Sequence, residues 1–277
     1  MTKIIQGDCL EVMRKMEPES VDAIVTDPPY AIGATSLDTS DVFPLALPPI
    51  YRLLKADGWL AFFGVMPTAA HWCEQAASVG FKWREHIVWV KRMVIPHAKL
   101  MRGHESIFVF RKGDARFHTV RGPYMDVKFP LLLAGCLTLD ALQRRDADMW
   151  FAIRRGGRIR KRPTTGKRQK AYERYKGGIV ARPDANFTNV WSFLPVHRAK
   201  TGLPYNHPHE KPVVLLKRIV ELLTPHDALV LDPFCGSGST GEACQRLGRN
   251  FTGIELDAGY CDMARKRLAQ PVALELL

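Results

Sequence analysis

Three glycines near the carboxyl end of the chain constrain its fold more than any other feature. Leu229–Leu231 is predicted to form a buried strand, and Gly236, Gly238 and Gly241 then match the pattern G-x-G-x-x-G at the start of a predicted helix. Glu255 ends the next predicted strand, 19 residues after the first of these glycines. An acid at this spacing hydrogen-bonds the ribose hydroxyls of adenosine cofactors in open α/β sheets. The pattern therefore predicts a strand, turn and helix that bind an adenosine-containing cofactor.

The residues between the strand and the first glycine distinguish two kinds of adenosine cofactor. A nicotinamide or flavin dinucleotide needs its pyrophosphate at the helix N-terminus, so the first glycine normally follows the strand directly. Here Asp232-Pro233-Phe234-Cys235 intervenes. S-adenosylmethionine has no phosphate, only the amino and carboxylate groups of its methionine. Asp232 is predicted to face the ammonium group, and the backbone amides near Gly236 and Gly238 are predicted to bind the carboxylate. Phe234 is predicted to pack near the adenine. The spacing therefore favours S-adenosylmethionine and disfavours a nicotinamide oxidoreductase.

Predicted strands and helices alternate at both ends of the chain, a pattern typical of a parallel sheet with helices on both faces. We therefore predict an α/β fold with a doubly wound, mostly parallel, Rossmann-like sheet. The alternation breaks near Lys112 and resumes near Lys211. Residues 1–112 and 204–277 are accordingly predicted to form one domain, into which residues 113–203 are inserted.

Two helices in this prediction depend on proline and on apolar periodicity. Pro48-Pro49 suits the first turn of a helix, which is predicted to run to about Ala56. A strongly amphipathic helix is predicted from Lys211 to Leu223, with Val214 on its buried face.

A second motif, Asp27-Pro28-Pro29-Tyr30, follows the predicted buried strand Val21–Thr26. Neither proline can donate to a sheet, and proline also forces the residue before it into an extended conformation. A rigid carboxylate, a proline carbonyl and an aromatic ring are therefore predicted at the carboxyl end of a strand, where open α/β sheets bind ligands.

Together, the sequences D-P-P-Y and D-P-F-C-G-S-G-S-T resemble the S-adenosylmethionine-dependent DNA amino-methyltransferases, which methylate adenine N6 or cytosine N4. Their order in the chain resembles the permuted β group. Gly7-Asp8 is similar to the motif whose Asp approaches the cofactor adenine, and His209-Glu210-Lys211-Pro212 to the start of the helix before the glycines. The resemblance covers residues 1–111 and 203–277 and implies a variable target-recognition region between them. The predicted cofactor-binding residues are Asp8, Lys211, Asp232, Phe234, Gly236, Gly238 and Glu255.

The resemblance implies that Asp27 and the Pro28 carbonyl accept hydrogen bonds from a base amino group, with Pro29 fixing the geometry. Tyr30 would stack on the base, which must leave the duplex. Adenine N6 is the preferred target, because relatives acting on cytosine N4 more often carry Ser where this chain has Asp27. Cytosine N4 is the first alternative; an RNA amino-methyltransferase and a catalytically silent nucleic-acid-binding protein are two more.

The charge of the chain is concentrated in one segment, Arg154–Lys176. Its eleven basic residues and single acid, Glu173, carry +10 of the net charge of +12. Such a segment suits a polyanion, and we predict that it contacts the phosphates of double-stranded DNA. The predicted DNA-binding residues are Arg154, Arg155, Arg158, Arg160, Lys161, Arg162, Lys167, Arg168, Lys170, Arg174 and Lys176. The resemblance also implies a homodimer.

The remaining composition disfavours other classes of protein. The six cysteines are scattered without a C-x-x-C pair, so reduced thiols and no metal site are expected. His207 and His209 lack a third ligand at a suitable spacing. No apolar stretch approaches the length of a membrane helix, and the N-terminus lacks a signal-peptide pattern, so a cytoplasmic protein without membrane contact is expected.

Overall fold

The computed structural model describes residues 1–30, 42–91, 103–118, 190–193 and 210–271. The chain divides into two compact units, Met1–Val120 with Phe193–Leu277, and Arg121–Ser192. None of the helices within the described ranges is both long enough and apolar enough to cross a membrane. The predicted inserted region, residues 113–203, falls mostly outside the described residues, and its boundaries stay a prediction.

The first unit contains alternating strands and helices. Strand β6 spans the boundary in sequence between the two units. In chain order the elements are β1 (Thr2–Gln6), α1 (Cys9–Lys15), β2 (Val21–Thr26), α2 (Phe43–Leu53), β3 (Leu54–Gly64), α3 (Thr68–Val79), β4 (Lys82–Lys91), β5 (His104–Arg111), β6 (Val190–Phe193), α4 (Val213–Leu223), β7 (Leu229–Asp232), α5 (Ser239–Arg246), β8 (Asn250–Glu255) and α6 (Ala258–Leu268).

Seven strands of the first unit form one sheet in the order β1-β8-β7-β2-β3-β5-β4. The five strands from β1 to β3 in this order run parallel, whereas β5 is antiparallel to both β3 and β4. The predicted mostly parallel, doubly wound α/β fold is confirmed, with a mixed edge that the sequence did not indicate. Because β7 pairs with β2, the two motifs lie at the carboxyl ends of neighbouring strands.

The helices pack in two groups, α1 with α2 and α3, and α4 with α5 and α6. The first group encloses an aromatic cluster in which the Phe43 ring lies 4.8 Å from Phe62 and 4.9 Å from Trp72, between ring centroids. These three side chains are almost completely buried. The cluster lies beneath Tyr30, whose ring centroid is 6.1 Å from that of Trp72.

Helix α2 corrects the prediction that Pro48-Pro49 opens a helix. The helix begins at Phe43 and ends at Leu53, and both prolines lie inside it. Pro44 provides the favourable proline of the first turn. The buried residues recur with the period of a helix and line one face, namely Phe43, Ala46, Leu47, Ile50 and Leu53. Burial of this face outweighs the hydrogen bonds that the internal prolines cannot donate.

Helix α4 also starts later than predicted, at Val213 after the extended residue Pro212. Val214 is 62% exposed, so its predicted place on the buried face is wrong. The buried face instead passes through Leu215, Leu216, Ile219, Val220 and Leu223. Lys211 therefore precedes the helix, in the segment that approaches the end of β2.

Candidate functional site

A hydrogen-bonded carboxylate joins the two motifs at the carboxyl edge of the sheet. Thr26 Oγ1 donates to Asp232 Oδ1 at 2.6 Å, although the two residues are 206 positions apart in the sequence. Thr240 Oγ1 donates to Asp232 Oδ2 at 2.8 Å, and the Phe234 amide to Oδ1 at 3.1 Å. Asp232 is only 3% exposed. Burial raises its pKa to about 6, against the opposite effect of these three hydrogen bonds. Asp232 thus connects the ends of β2 and β7 and the start of α5.

The glycine turn needs glycine for two separate reasons. Gly236 and Gly238 have φ angles of 50° and 81°, in the left-handed region that favours glycine. At Gly241 a Cβ atom would lie 2.7 Å from the Phe251 ring, so only glycine allows α5 to pack this closely on β8. Cys235, within the turn, is buried, and burial raises the pKa of its thiol, as expected for an inert packing residue.

Glu255 lies at the end of β8, next to both the glycine turn and β1. Its Oε2 accepts a hydrogen bond from the Gly236 amide at 2.9 Å, and its Oε1 one from the Asp257 amide at 2.9 Å. Burial raises the pKa of this carboxyl. The Gly7 amide donates to the Glu255 carbonyl at 2.9 Å, which brings Asp8 to the same edge. Asp8 is exposed and caps α1 by accepting hydrogen bonds from the amides of Leu10 and Glu11.

The Asp27 carboxylate, at the end of β2, has donors on both of its oxygens. The Tyr30 hydroxyl donates to Oδ1, and the Lys211 ammonium donates to Oδ2. Pro28 is buried, whereas Asp27 and Tyr30 are half-buried. A side chain predicted to bind the cofactor, Lys211, therefore contacts the side chain predicted to hold the base.

Lys211 also faces residues that the sequence prediction did not include. Its Nζ lies 3.6 Å from Glu105 Oε2 and 5.0 Å from the centroid of the Phe63 ring. Glu105 in turn forms an ion pair with Lys91. No local pattern marks these residues, because β4 and β5 reach this edge only through their antiparallel pairing.

A second ion pair holds the glycine turn from outside. The buried Arg267 of α6 donates to Ser239 Oγ at 2.7 Å, to Ser237 Oγ at 3.2 Å and to Glu210. The Glu210-Lys211 dipeptide thus links the glycine turn, through Arg267, to Asp27, through Lys211. Arg267 was not predicted because it is 28 residues from Ser239 and lies on a helix that reads as an ordinary basic surface.

The predicted DNA-binding residues of the segment Arg154–Lys176 lie outside the described residues, as do His207 and His209.

A comparison with protein-family models identifies the chain's relatives. The model of the DNA methylase family N6_N4_Mtase matches residues 21–266, which span both motifs and the region between them. The chain belongs to this family. It is a DNA methyltransferase of the N6/N4 amino-methyltransferase type.

Individual relatives match over almost the full length of this methyltransferase. It is 28% identical to the type II methyltransferase M1.MboII of Moraxella bovis, over 98% of this chain and 97% of that protein. It is 24% identical to the type II methyltransferase M.HpaI of Haemophilus parainfluenzae, over 96% of this chain and 74% of that protein. The methyltransferase is therefore related to the methylases of type II restriction-modification systems.

Solved structures share the fold of this methyltransferase. The crystal structure of the M1.HpyAVI-SAM complex matches with a TM-score of 0.63 and 22% identity, over 98% of this chain and all of that chain. PvuII DNA methyltransferase, which is cytosine-N4-specific, matches with a TM-score of 0.63 and 15% identity, over 97% of this chain and 86% of that chain. The resemblance deduced from the two motifs is confirmed by the family model, which argues against a nicotinamide oxidoreductase.

Proposed function

We propose that this methyltransferase methylates N6 of an adenine that has been flipped out of double-stranded DNA. The observation that carries the proposal is the Asp27 carboxylate, which lies at the carboxyl edge of the sheet beside a strand whose next residues form the glycine turn. The acid at position 27 supports adenine over cytosine N4.

Asp27 and Pro28 would act on the lone pair of the amino nitrogen. This lone pair is delocalised into the base ring, which makes the amino group a poor nucleophile. Asp27 and the Pro28 carbonyl each accept one N–H, which draws the nitrogen toward tetrahedral geometry and directs its lone pair away from the ring. The buried surroundings of Pro28 strengthen these hydrogen bonds. Asp27 then takes up the proton that the nitrogen loses.

Tyr30 would stack on the flipped base. Its ring is half-buried and is supported from behind by Trp72. An aromatic ring that rests on a rigid core restricts the base to one plane, and positioning supplies much of the rate of a methyl transfer. Pro29 keeps the backbone between the carboxylate and the ring stiff.

S-adenosylmethionine, when bound, supplies the methyl group from its sulfonium. The residues at the edge of the sheet fit S-adenosylmethionine, because Gly236 offers an amide donor and Glu255 a carboxylate acceptor. In this structure the Gly236 amide donates to Glu255 Oε2 at 2.9 Å. We assign the ribose to Glu255, the adenine to Asp8 and Phe234, and the methionine carboxylate to the turn at Gly236 and Gly238. Asp232 stabilises this turn by accepting buried hydrogen bonds from the Phe234 amide and the Thr240 hydroxyl.

The product of the reaction tests the proposal directly. The protein is incubated with unmethylated duplex DNA and isotope-labelled S-adenosylmethionine, and the DNA is digested to nucleosides for mass spectrometry. Labelled N6-methyladenine is the expected product. N4-methylcytosine would overturn the adenine assignment, and product on RNA with none on DNA would contradict the duplex substrate.

Replacing Asp27 by Ala tests its role in the transfer step. The single-turnover rate is expected to fall by at least about 10²–10³-fold, the loss typical of removing one group that stabilises developing charge in a transition state. Binding of S-adenosylmethionine should stay nearly intact. Asp262→Ala, an exposed acid on α6, serves as the matched control. Survival of activity in Asp27→Ala would refute the catalytic assignment.

The division of the chain and its assembly complete the proposal. Residues 113–203 would recognise the target through the basic segment Arg154–Lys176, which contacts phosphates. The implied homodimer stays a prediction, which light scattering at assay concentrations would test.

A further inference from the structure

Lys211 carries a buried positive charge beside the proposed acceptor of the base. The residue is 8% exposed and is held between two carboxylates, Asp27 and Glu105. Its ammonium also lies over two aromatic rings, 5.0 Å from the centroid of Phe63 and 5.8 Å from that of Tyr30. Burial acts to lower the pKa of Lys211, but Asp27 and Glu105 together raise it above the ordinary value of 10.5. The side chain therefore stays charged because of its two acidic partners.

Glu105 is the second acidic partner of Lys211. It lies near the start of β5, opposite Trp89 of β4, and its Oε1 pairs with the Lys91 ammonium. Its Oε2 is buried with no hydrogen-bond partner within the described part of the chain, and faces Lys211 at 3.6 Å. Burial acts to raise the pKa of Glu105, but Lys211 and Lys91 lower it. Leaving a buried carboxylate oxygen without a hydrogen bond costs free energy. The charge of Glu105 is therefore kept at a cost to stability, next to the Lys211 ammonium.

The four side chains form a row of alternating charge at the edge of the sheet, in the order Lys91, Glu105, Lys211 and Asp27. A lysine ammonium is a compact charge on a flexible stem, so a single carboxylate fixes its position poorly. The second carboxylate, Glu105, lies 3.6 Å from the Lys211 ammonium and restricts its position together with Asp27. Lys211 in turn holds Asp27 Oδ2, which leaves Oδ1 directed toward Tyr30.

We infer that Glu105 is a positioning residue for methyl transfer, which keeps the Lys211 ammonium charged and in place so that Lys211 orients the Asp27 carboxylate toward the base. This inference rests on the proposed function of Asp27. Glu105 and Lys91 belong to neither motif, so they extend the site to the antiparallel edge of the sheet.

The experiment compares Glu105→Gln with wild type in single-turnover methyl transfer to DNA between pH 6 and pH 10. The variant keeps the shape of the side chain and removes its charge. The rate at neutral pH is expected to fall about tenfold, while the Kd of S-adenosylmethionine stays within about twofold. Wild type should keep its rate up to pH 10, because the pKa of Lys211 is raised. Removing an opposite charge a few Å away lowers a pKa by roughly one to three pH units, so the rate of Glu105→Gln should fall as pH rises toward 10.

Two further variants separate positioning from loss of structure. Lys91→Met disturbs the same ion-paired row but removes a positive charge, which favours the charged form of Lys211, so its rate should not fall toward pH 10. Glu74→Gln makes the same chemical change at an exposed site on α3 and should behave as wild type. Lys91→Met keeps the inference testable if Glu105→Gln fails to fold, because an alkaline loss in Lys91→Met would overturn it.

The results also distinguish this inference from the proposed function. An unchanged rate and pH profile in Glu105→Gln would overturn the inference, as would a loss confined to S-adenosylmethionine affinity. If the rates of Lys91→Met and Glu105→Gln fell equally as pH rises toward 10, both residues would have only a structural role. Absence of methyl transfer by wild type, or full activity of Asp27→Ala, would instead refute the proposed function.

Discussion

At the scale of single residues, the Asp27 carboxylate already accepts a hydrogen bond from the protein on each of its two oxygens. The Tyr30 hydroxyl and the Lys211 ammonium each occupy one oxygen. A base amino group that approaches Asp27 must therefore share an oxygen with one of them or displace it. We expect the base to displace Tyr30 rather than Lys211, because Lys211 is buried between two acids whereas Tyr30 is half-buried. In the proposed reaction, stacking of the base on Tyr30 and release of its hydroxyl from Asp27 are thus coupled.

This coupling predicts different results for two substitutions of Tyr30. Tyr30→Ala removes the stacking ring and should lower the single-turnover rate about 10- to 100-fold, since stacking of a base on an aromatic side chain contributes roughly 1–3 kcal/mol. Tyr30→Phe keeps the ring and removes the hydroxyl that competes for Asp27, so its loss should be much smaller. Single-turnover rates, with fluorescence of 2-aminopurine at the target position to report flipping, measure both. Equal losses in the two variants would contradict a role for the ring.

At the scale of elements, the buried hydrogen bond between Thr26 and Asp232 is what aligns the two halves of the site. It joins the last residue of β2, which directly precedes Asp27, to the last residue of β7, which is the first residue of the glycine motif. The parallel pairing of β2 and β7 extends over Ala23 and Ile24 only. The side-chain hydrogen bond therefore fixes the strand ends beyond the point where backbone pairing stops.

Thr26→Val tests this alignment with little change in shape. A hydrogen bond to a charged group contributes about 1.5–3 kcal/mol, so the free energy of unfolding should fall by about that amount at pH 8. The bond lowers the pKa of Asp232, whereas burial raises it to about 6. Since the bond favours the charged carboxylate, the difference from wild type should shrink as pH falls through 6 and Asp232 takes up a proton.

Thr252→Val is the matched control for this test. Thr252 is also buried and lies on the neighbouring strand β8. Chemical denaturation at pH 5 and pH 8, together with the Kd of S-adenosylmethionine, gives the required comparison. A destabilisation by Thr26→Val that is the same at both pH values would show that the charged form of Asp232 has no part in the alignment.

At the scale of the whole molecule, the features that could be predicted from the sequence are those encoded over short distances. The glycine turn, the extended Asp27-Pro28-Pro29-Tyr30 segment and the cap of α1 by Asp8 each depend on residues a few positions apart. The row from Lys91 to Asp27 depends instead on strand order, which places β5 antiparallel beside β3. Helix α2 was mispredicted because tertiary burial of its apolar face overrides the local preference of two prolines.

The charge distribution of the whole chain leads to a prediction about DNA affinity. The segment Arg154–Lys176 carries +10 of the net charge of +12, so it should supply most of the electrostatic attraction to duplex DNA. Each phosphate neutralised contributes about 0.9 to the slope of log K against log salt concentration. Replacing Arg158, Arg160, Lys161 and Arg162 by Ala should therefore weaken binding and reduce the magnitude of this slope by about 3 to 4.

The control removes the same amount of charge from the first unit. Lys3, Arg14, Lys15 and Lys266 are all exposed, and their replacement by Ala changes the net charge equally. If the basic segment contacts phosphates, the salt slope is reduced in the first variant and stays at the wild-type value in the control, although both variants have the same net charge. Equal slopes in the two variants would mean that attraction to DNA follows the overall charge of the protein and that the segment makes no phosphate contacts of its own. Both slopes are measured by fluorescence anisotropy with a labelled duplex. The salt concentration is varied from about 50 to about 300 mM, a range over which counterion release changes the affinity strongly.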